Sequence, residues 1–308
     1  MPRPAPKRSA RRPPQRLVCI LSRRKSLYST KRLLQAAKAQ GHKAVVLDTM
    51  KCHVLVESGA PQVLYGPERV PRPDVLLPRI GTSVTSYGLA VVAQFEAMGV
   101  PVVNGARAIA ASRDKLRCLQ VLAREGIPVP RTLLAHQRSS VPRIIEQIGG
   151  LPAIVKLIQG TQGVGVMIAT TLEEAQALLN TFWDLGHDII VQQFVRESEG
   201  RDVRALVVGD QVVAAMRRQA KAGEFRSNIH RGAEGKAFQV PREFAEVAIQ
   251  ATRVLGLEVA GVDLLESRNG PLVVEVNSSP GFEGLEGATH TDIASAIIGH
   301  AIAVAGTG

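Results

Sequence analysis

The sequence predicts an α/β protein, and three observations carry that expectation. Short Val- and Leu-rich runs alternate with helical stretches over the first hundred residues, in the strand, helix, strand order of a parallel unit. Later in the chain, paired apolar runs flank glycine-rich and Asn-Gly turns, the local signature of hairpins. The chain has 308 residues, 45% of them hydrophobic, which is enough for two or three domains with real cores.

Composition narrows the function classes. Aromatic residues make up 4% of the chain, so a surface that works by stacking on bases is not expected. The net charge is +11, and Arg3, Lys7, Arg8, Arg11 and Arg12 supply five of those charges, leaving +6 on the rest. Residues 1–15 hold no acid and almost nothing apolar, so they read as a disordered basic tail. A solvated extension is one reading of it; salt-sensitive contact with RNA or the ribosome through phosphates is the other. Cys19, Cys52 and Cys118 are scattered, without a CxxC pair, which suits a reducing cytoplasm and argues against structural zinc. No stretch is long enough to span a membrane, and the apolar run after the basic start is only 17–21, too short for a signal peptide.

The elements follow in order. Residues 17–21 form a buried strand, Ser29 caps a helix over 29–40 that ends at Gly41, and 43–47 is the next strand. Strand 74–77, helix 89–98 and strand 100–103, ending at Asn104, complete an open α/β domain over 16–112. Its first strand is not followed by GxGxxG, so a dinucleotide site is not expected there. Residues 113–124 form an amphipathic helix with Lys115 near its start. Two strands over 152–169 flank the glycine stretch 160–165, and Thr171 opens a helix over 172–183. Strand 188–195 leads to a hairpin turning at Gly209-Asp210, with Asp202 and Arg204 on one face. Helix 243–255, the hairpin 259–281 and a closing helix 293–304 finish the chain.

Three places carry chemistry. Gly160-Thr161-Gln162-Gly163-Val164-Gly165 lets the backbone approach phosphates, although no Walker Lys-Ser/Thr follows. Lys156, inside the preceding apolar strand, needs an anion or a route to water; an ordinary glycine hairpin with a snorkelling lysine is the competing reading. From 217 to 231 the chain offers Arg217, Arg218, Lys221, Arg226 and Arg231 with little that is apolar, which reads as an anion loop or a solvated one. In the last hairpin, Glu275 and Asn277 alternate onto one face. With Asn269 at the apex, Asp263 stands opposite Glu275, as each lies six residues away. Oxygen-only ligands suit Mg²⁺ or Mn²⁺, with the metal bridging to a phosphate; the alternative is a hairpin whose polar residues face water.

Taken together, LPRIGTSVTSYG, SRDKLRCLQVLAREGIPVP, VKLIQGTQGVGV, EFRSNIHRG and VAGVDLL…VVEVNSSPG resemble the ATP-grasp ligases, and within them the RimK-type glutamate ligases. The similarity covers about residues 16–305. It implies an ATP-grasp fold with the N-terminal parallel α/β domain over 16–112, a central lid domain over 113–190 and a C-terminal metal and nucleotide domain over 191–308. It implies ATP contacts at Lys115, Lys156, Gly160, Thr161, Gln162, Gly163, Gly165, Gln193, Phe194, Asp202, Arg226, Ser227 and Asn228. Two Mg²⁺ or Mn²⁺ ions would sit on Asp263, Glu275 and Asn277. Arg226 is assigned to the transferring phosphate, and Arg204, Arg217 and Arg231 to substrate carboxylates. The chain departs from the family pattern at Gln193-Phe194, Ala233 and Ser278 and in its basic tail. The implied activity joins L-glutamate to the C-terminus of a small-subunit ribosomal protein through an acyl phosphate, in the cytoplasm, by a homo-oligomer suggested to be a tetramer. Making oligoglutamate, or glutamylating another acceptor, is the runner-up; a non-catalytic, ribosome-associated binding protein is the reading from another class.

Overall fold

The computed structural model describes residues 14–135, 140–157, 165–221 and 234–306. The chain opens with β1 (Leu17–Ser22), α1 (Tyr28–Ala39) and β2 (Lys43–Leu47). Three short strands follow, β3 (Cys52–Leu55), β4 (Gln62–Tyr65) and β5 (Glu68–Arg69), then β6 (Val75–Arg79), α2 (Thr85–Ala97), α3 (Ala106–Arg113) and α4 (Lys115–Arg124). The first sheet has the order β2-β1-β6, all parallel. Its central strand is buried from Val18 to Ser22 because both faces are covered, Val18 and Ile20 by one core and Cys19 and Leu21 by another.

Local chemistry corrects several expectations. Ser29 is not the cap of α1: Leu27 holds that position without a capping side chain, and Ser29 lies inside the first turn. The strand expected over 100–103 reduces to one parallel bridge from Leu76 to Val102. Pro101 has no N–H to donate, and Asn104 turns away at φ 71°. The helix expected over 113–124 is broken by Asp114, whose backbone is extended. Its carboxylate accepts from Arg117 N at 2.9 Å, capping α4 and placing Lys115 at the first helical position. The antiparallel β3-β4-β5 sheet was not anticipated, since runs of two to four residues are too short to show alternation.

The second sheet is built from β7 (Thr132–Ala135), α5 (Val141–Gln147), β8 (Ala153–Leu157), β9 (Val166–Ala169), α6 (Leu172–Asp184) and β10 (Ile189–Gln193). It is antiparallel, in the order β7-β10-β8-β9, and buries Val155 and Val191 under Ile145 of α5 and Leu179 of α6. Thr171 opens α6 with a full capping box to Glu174.

The third sheet comprises β11 (Arg201–Val208), β12 (Gln211–Gln219), β13 (Glu234–Ala237) and, after α7 (Arg242–Val254), β14 (Val259–Ser267) and β15 (Gly270–Asn277); α8 (Glu283–Thr289) and α9 (Ile293–Ala305) close the chain. Its order is β13-β12-β11-β14-β15. One face, with Val203, Ala205, Val262 and Leu264, packs on α7 and on Leu122 of α4. The other, with Leu206, Met216 and Val259, lies under Phe282, Leu285 and Ile297. That second core also contains Val18, Ile20, Leu33 and Leu77 of the N-terminal region. Each such apolar side chain contributes about 1.5–3 kcal/mol on burial, so the two ends of the chain are joined through a shared core. Among the described residues no helix is long and apolar enough to cross a membrane.

Candidate active site

The site grows out of the face of the third sheet that packs under α8 and α9. Where that face leaves its apolar cover, its residues change from Leu206 and Met216 to Arg204, Asp202 and Arg218. On the neighbouring strands it continues to Asp263, Glu275 and Asn277. Asp263 pairs across the strands with Glu275 on one side and Arg204 on the other. The sequence anticipated the first pairing through a different geometry. The turn is two residues, Arg268-Asn269, with Ser267 opposite Gly270. An unbroken register would put Asp263 opposite Val274. A bulge between Asp263 and Leu264 shifts the ladder by one residue and brings Glu275 into place.

Asp263 is 6% exposed, and arginines hold both of its oxygens. Arg204 donates from Nε to Oδ1 and from Nη2 to Oδ2, each at 2.6 Å, and Arg218 Nη2 lies 3.1 Å from Oδ2. Burial opposes ionisation of Asp263, but Arg204 and Arg218 outweigh it and hold its pKa below the usual range. Arg218, 3% exposed, donates from Nε to Asp202 Oδ1 at 2.6 Å and from Nη2 to Oδ2. Glu275 is open to solvent within a cavity of about 200 Å³, whose wall includes Lys115, Arg113, Asn277 and Ser279. Protein encloses it on the other sides. That enclosure and the Asp263 charge raise its pKa, while Arg204, Lys156 and Lys115 pull it back.

The two lysines converge on this carboxylate from different elements. Lys156 projects from β8, and its Nζ donates to Gln192 Oε1 at 2.7 Å. Burial pushes its pKa down to about 8; Glu275 opposes this and Lys115 adds to it. Lys115, on the first turn of α4, is also lowered by burial and supported by Glu275. Two cations that partly lose their solvent shell, facing a carboxylate that no described residue ion-pairs in an open cleft, form a site for a polyanion with its counter-cation.

The donor set fits a hard divalent cation. A carboxylate has about four acceptor directions; the arginines take three on Asp263 and leave one on Oδ1. Glu275 presents its carboxylate to the cleft, and Asn277 lines the same cavity. Asn277 Nδ2 reaches Gly261 O only at 3.5 Å.

Other expected residues are placed as follows. Gln193 lies at the end of β10, where its Oε1 accepts from Arg131 N at 3.2 Å, and Phe194 follows it half-buried. Gly165 closes onto β8, accepting from Leu157 N at 3.1 Å; its φ is 76°, and a Cβ would stand 3.1 Å from Leu157. Asp202 is taken up by Arg218. Two arginines expected at substrate carboxylates are engaged elsewhere. Arg204 has its fork on Asp263. Arg217 points to the opposite face of the sheet, with Nη2 at 2.7 Å from Glu266 Oε1 and the guanidinium 4.4 Å from the Phe238 ring centroid. The strand's period of two decides this, and it puts the neighbouring Arg218 in the site instead. Gly160, Thr161, Gln162 and Gly163, together with Arg226, Ser227, Asn228 and Arg231, lie outside the described residues. The sequence reading counted Arg218 only among the cations of an anion loop and gave Arg113 and Arg79 no role, since only the strand register and the approach of the first sheet bring them near the site.

Comparison with known proteins completes the picture. The family model described as the RimK PreATP-grasp domain matches residues 17–109, and that of the RimK-like ATP-grasp domain matches residues 112–301. A Vibrio vulnificus protein named "Probable alpha-L-glutamate ligase" is 50% identical over 280 residues, covering 91% of this chain and 93% of its own. A Pseudomonas aeruginosa protein of the same name is 50% identical over 281 residues, with the same coverage of both chains. Among solved structures, the ATP-grasp ligase PsnB, complexed with a phosphomimetic variant of a minimal precursor, Mg and ADP, superposes with a TM-score of 0.74 at 22% identity. That superposition covers 94% of this chain and 99% of that one and speaks for the fold. Two adjoining family models from residue 17 to 301, and half the residues shared with full-length relatives, establish that the chain belongs to the RimK family of ATP-grasp ligases and is an ATP-dependent ligase.

Proposed function

We propose that the protein joins L-glutamate to the C-terminal carboxylate of a peptide or protein, and that this acceptor is a small-subunit ribosomal protein. The observation that carries the ligase chemistry is the convergence of Lys115 and Lys156 on the Glu275 carboxylate beside the arginine-held Asp263. The glutamate donor rests on the relatives' name, and the ribosomal acceptor on the resemblance of the sequence motifs alone. We assign the second sheet, with Lys156 and Gly165, to the lid over the nucleotide. We keep the division into 1–15, 16–112, 113–190 and 191–308. A cytoplasmic homo-oligomer belongs to the same reading.

In this reading Lys115 and Lys156 hold the triphosphate, and Glu275, Asn277 and the remaining lone pair of Asp263 hold Mg²⁺ or Mn²⁺. The cation, when bound, supplies charge neutralisation at the β- and γ-phosphates. Arg204 and Arg218 keep Asp263 ionised and fix its direction. The acceptor's carboxylate oxygen attacks the γ-phosphorus; the bond to the β,γ-bridging oxygen breaks, giving ADP and an acyl phosphate. The glutamate ammonium loses one proton to solvent, its nitrogen attacks the acyl carbon, and a second proton leaves the nitrogen for solvent as the amide forms. The C–O bond to phosphate breaks, leaving an amide and inorganic phosphate. The protein contributes position and electrostatics to both steps.

The test is mass spectrometry of a peptide ending in Glu, incubated with protein, ATP, Mg²⁺ and the twenty amino acids. The expected result is a ladder of glutamate-sized increments with matching ADP release. ADP release with an unchanged peptide moves the acceptor elsewhere. Neither signal, from folded protein, removes the catalytic reading in favour of a binding role. Glu275→Ala should abolish both signals while leaving the fold intact by circular dichroism; unchanged activity would remove Glu275 from the site.

A further inference from the structure

A second cavity, of about 280 Å³, shares Ile80, Gly81 and Ser279 with the one over Glu275. It lies at the C-terminal ends of β1 and β6, the edge where open α/β sheets receive ligands. Arg79, the last residue of β6, lines it. Arg79 Nη2 donates to Pro280 O at 2.5 Å and reaches Ser29 Oγ at 3.4 Å, while its Nε is buried with no acceptor among the described residues. Among the described residues no carboxylate pairs with it. Burial draws its pKa down to about 10, and the nearby Arg113 adds to this. The guanidinium stands 5.9 Å from the Phe282 ring centroid, so a ring face and a carbonyl, but no anion among the described residues, meet its charge.

The start of α1 meets that guanidinium at Ser29. This helix of twelve residues has no capping side chain and no acid in its first turn, and Tyr28, Ser29 and Thr30 line the cavity. Its first N–H groups and its dipole add partial positive charge where Arg79 stands. Ser279 Oγ, on the wall common to both cavities, is likewise buried with no partner among the described residues. Among the described residues the one acid on the lining is Glu283, exposed to solvent. One arginine, one helix start and one hydroxyl match a carboxylate rather than a triphosphate, and the guanidinium fork matches carboxylate geometry.

We propose that this cavity is a substrate-carboxylate subsite, in which Arg79 and the first turn of α1 hold a carboxylate of the molecule whose reacting group enters the cleft over Glu275. The proposal rests on the ligase reading above. Free glutamate and the acceptor both carry carboxylates, and that shared chemistry is what the wall recognises.

The test is steady-state kinetics on the full-length enzyme, varying glutamate, acceptor peptide and ATP separately, for Arg79→Met and Ser29→Asp. Ser29→Asp sets a carboxylate in the first turn beside Arg79. It favours the helix, so a loss of function there is not a loss of fold. Both variants should raise KM for one carboxylate substrate about tenfold or more, the scale of a lost charge-assisted pair, with KM for ATP unchanged. A rise for glutamate assigns the donor, and a rise for the peptide assigns the acceptor. Unchanged KM values, or a parallel rise for ATP, overturn the proposal. Saturation-transfer NMR with L-glutamate and with the acceptor peptide needs no turnover and so separates this proposal from the ligase reading. Binding of either by the wild type and not by Ser29→Asp supports the subsite; binding of neither by the wild type, or equal binding by both proteins, refutes it.

Discussion

Lys156 shows what one residue in the site costs and what it does. Its folded pKa, about 8, is depressed from the ordinary lysine value. The stability linked to it is therefore fully present above the unfolded lysine pKa, about 10.4, and is lost as pH falls through about 8. A triphosphate reverses the preference by favouring the ammonium, so ATP binding at about pH 9 should take up close to one proton. Isothermal titration calorimetry in buffers of different ionisation enthalpy measures that uptake; Lys156→Met should abolish it. Asn104 is a structural counterpart. It is 2% exposed and left-handed, at φ 71°. Its Nδ2 donates to Val259 O at 2.6 Å and Ser278 O at 2.7 Å, and its Oδ1 accepts from Glu258 N at 2.8 Å and Val259 N at 3.0 Å. This clamps both ends of the β14–β15 hairpin. Asn104→Gly keeps the backbone conformation but orphans these groups, and should cost about 2–4 kcal/mol in denaturant unfolding.

Among the elements, the β14–β15 hairpin is the decisive one, and its bulge matters more than its turn. Exchanging the two neighbours, Val274→Glu with Glu275→Val, keeps the composition and moves the carboxylate off the position opposite Asp263. We expect a folded protein with ligase activity below detection, checked by circular dichroism and the mass-spectrometric assay. Removing the α6 cap through Thr171→Ala should cost only about 1 kcal/mol and leave activity near wild type, since that helix is remote from the carboxylates. The contrast separates an element that holds the site from one that holds the sheet beneath it.

At the scale of the molecule, the C-terminal helices lie between the first and third sheets, so the N-terminal region is not an appendage. Arg32 of α1 pairs with Glu286 at 2.9 Å and with Asp292 at 2.9 Å, adding charged contacts to the shared core. The basic tail makes a separate prediction. A truncation starting at Arg16 should keep peptide ligation but lose ribosome association, with a weaker salt dependence in sedimentation assays. Equal association of both forms across salt would assign the tail no recruiting role. Gln15, within that segment, donates from its side-chain amide to Gly41 O at 3.1 Å.

The sequence by itself determined the α/β class, most of the strands and the capped helix after Thr171, and it singled out Asp263, Glu275, Asn277, Lys115 and Lys156, which the fold brings together. These are local or period-two signals, and each is written in neighbouring residues. Only the tertiary structure decided which charges meet. Arg217 and Arg218 are adjacent in sequence, yet strand alternation sends one to Phe238 and the other to Asp202 and Asp263. A one-residue bulge decides that Glu275 rather than Val274 faces Asp263. Arg79 enters the site because β6 ends against the turn after β15, about two hundred residues away, and long-range packing of that kind has no local signature in the chain.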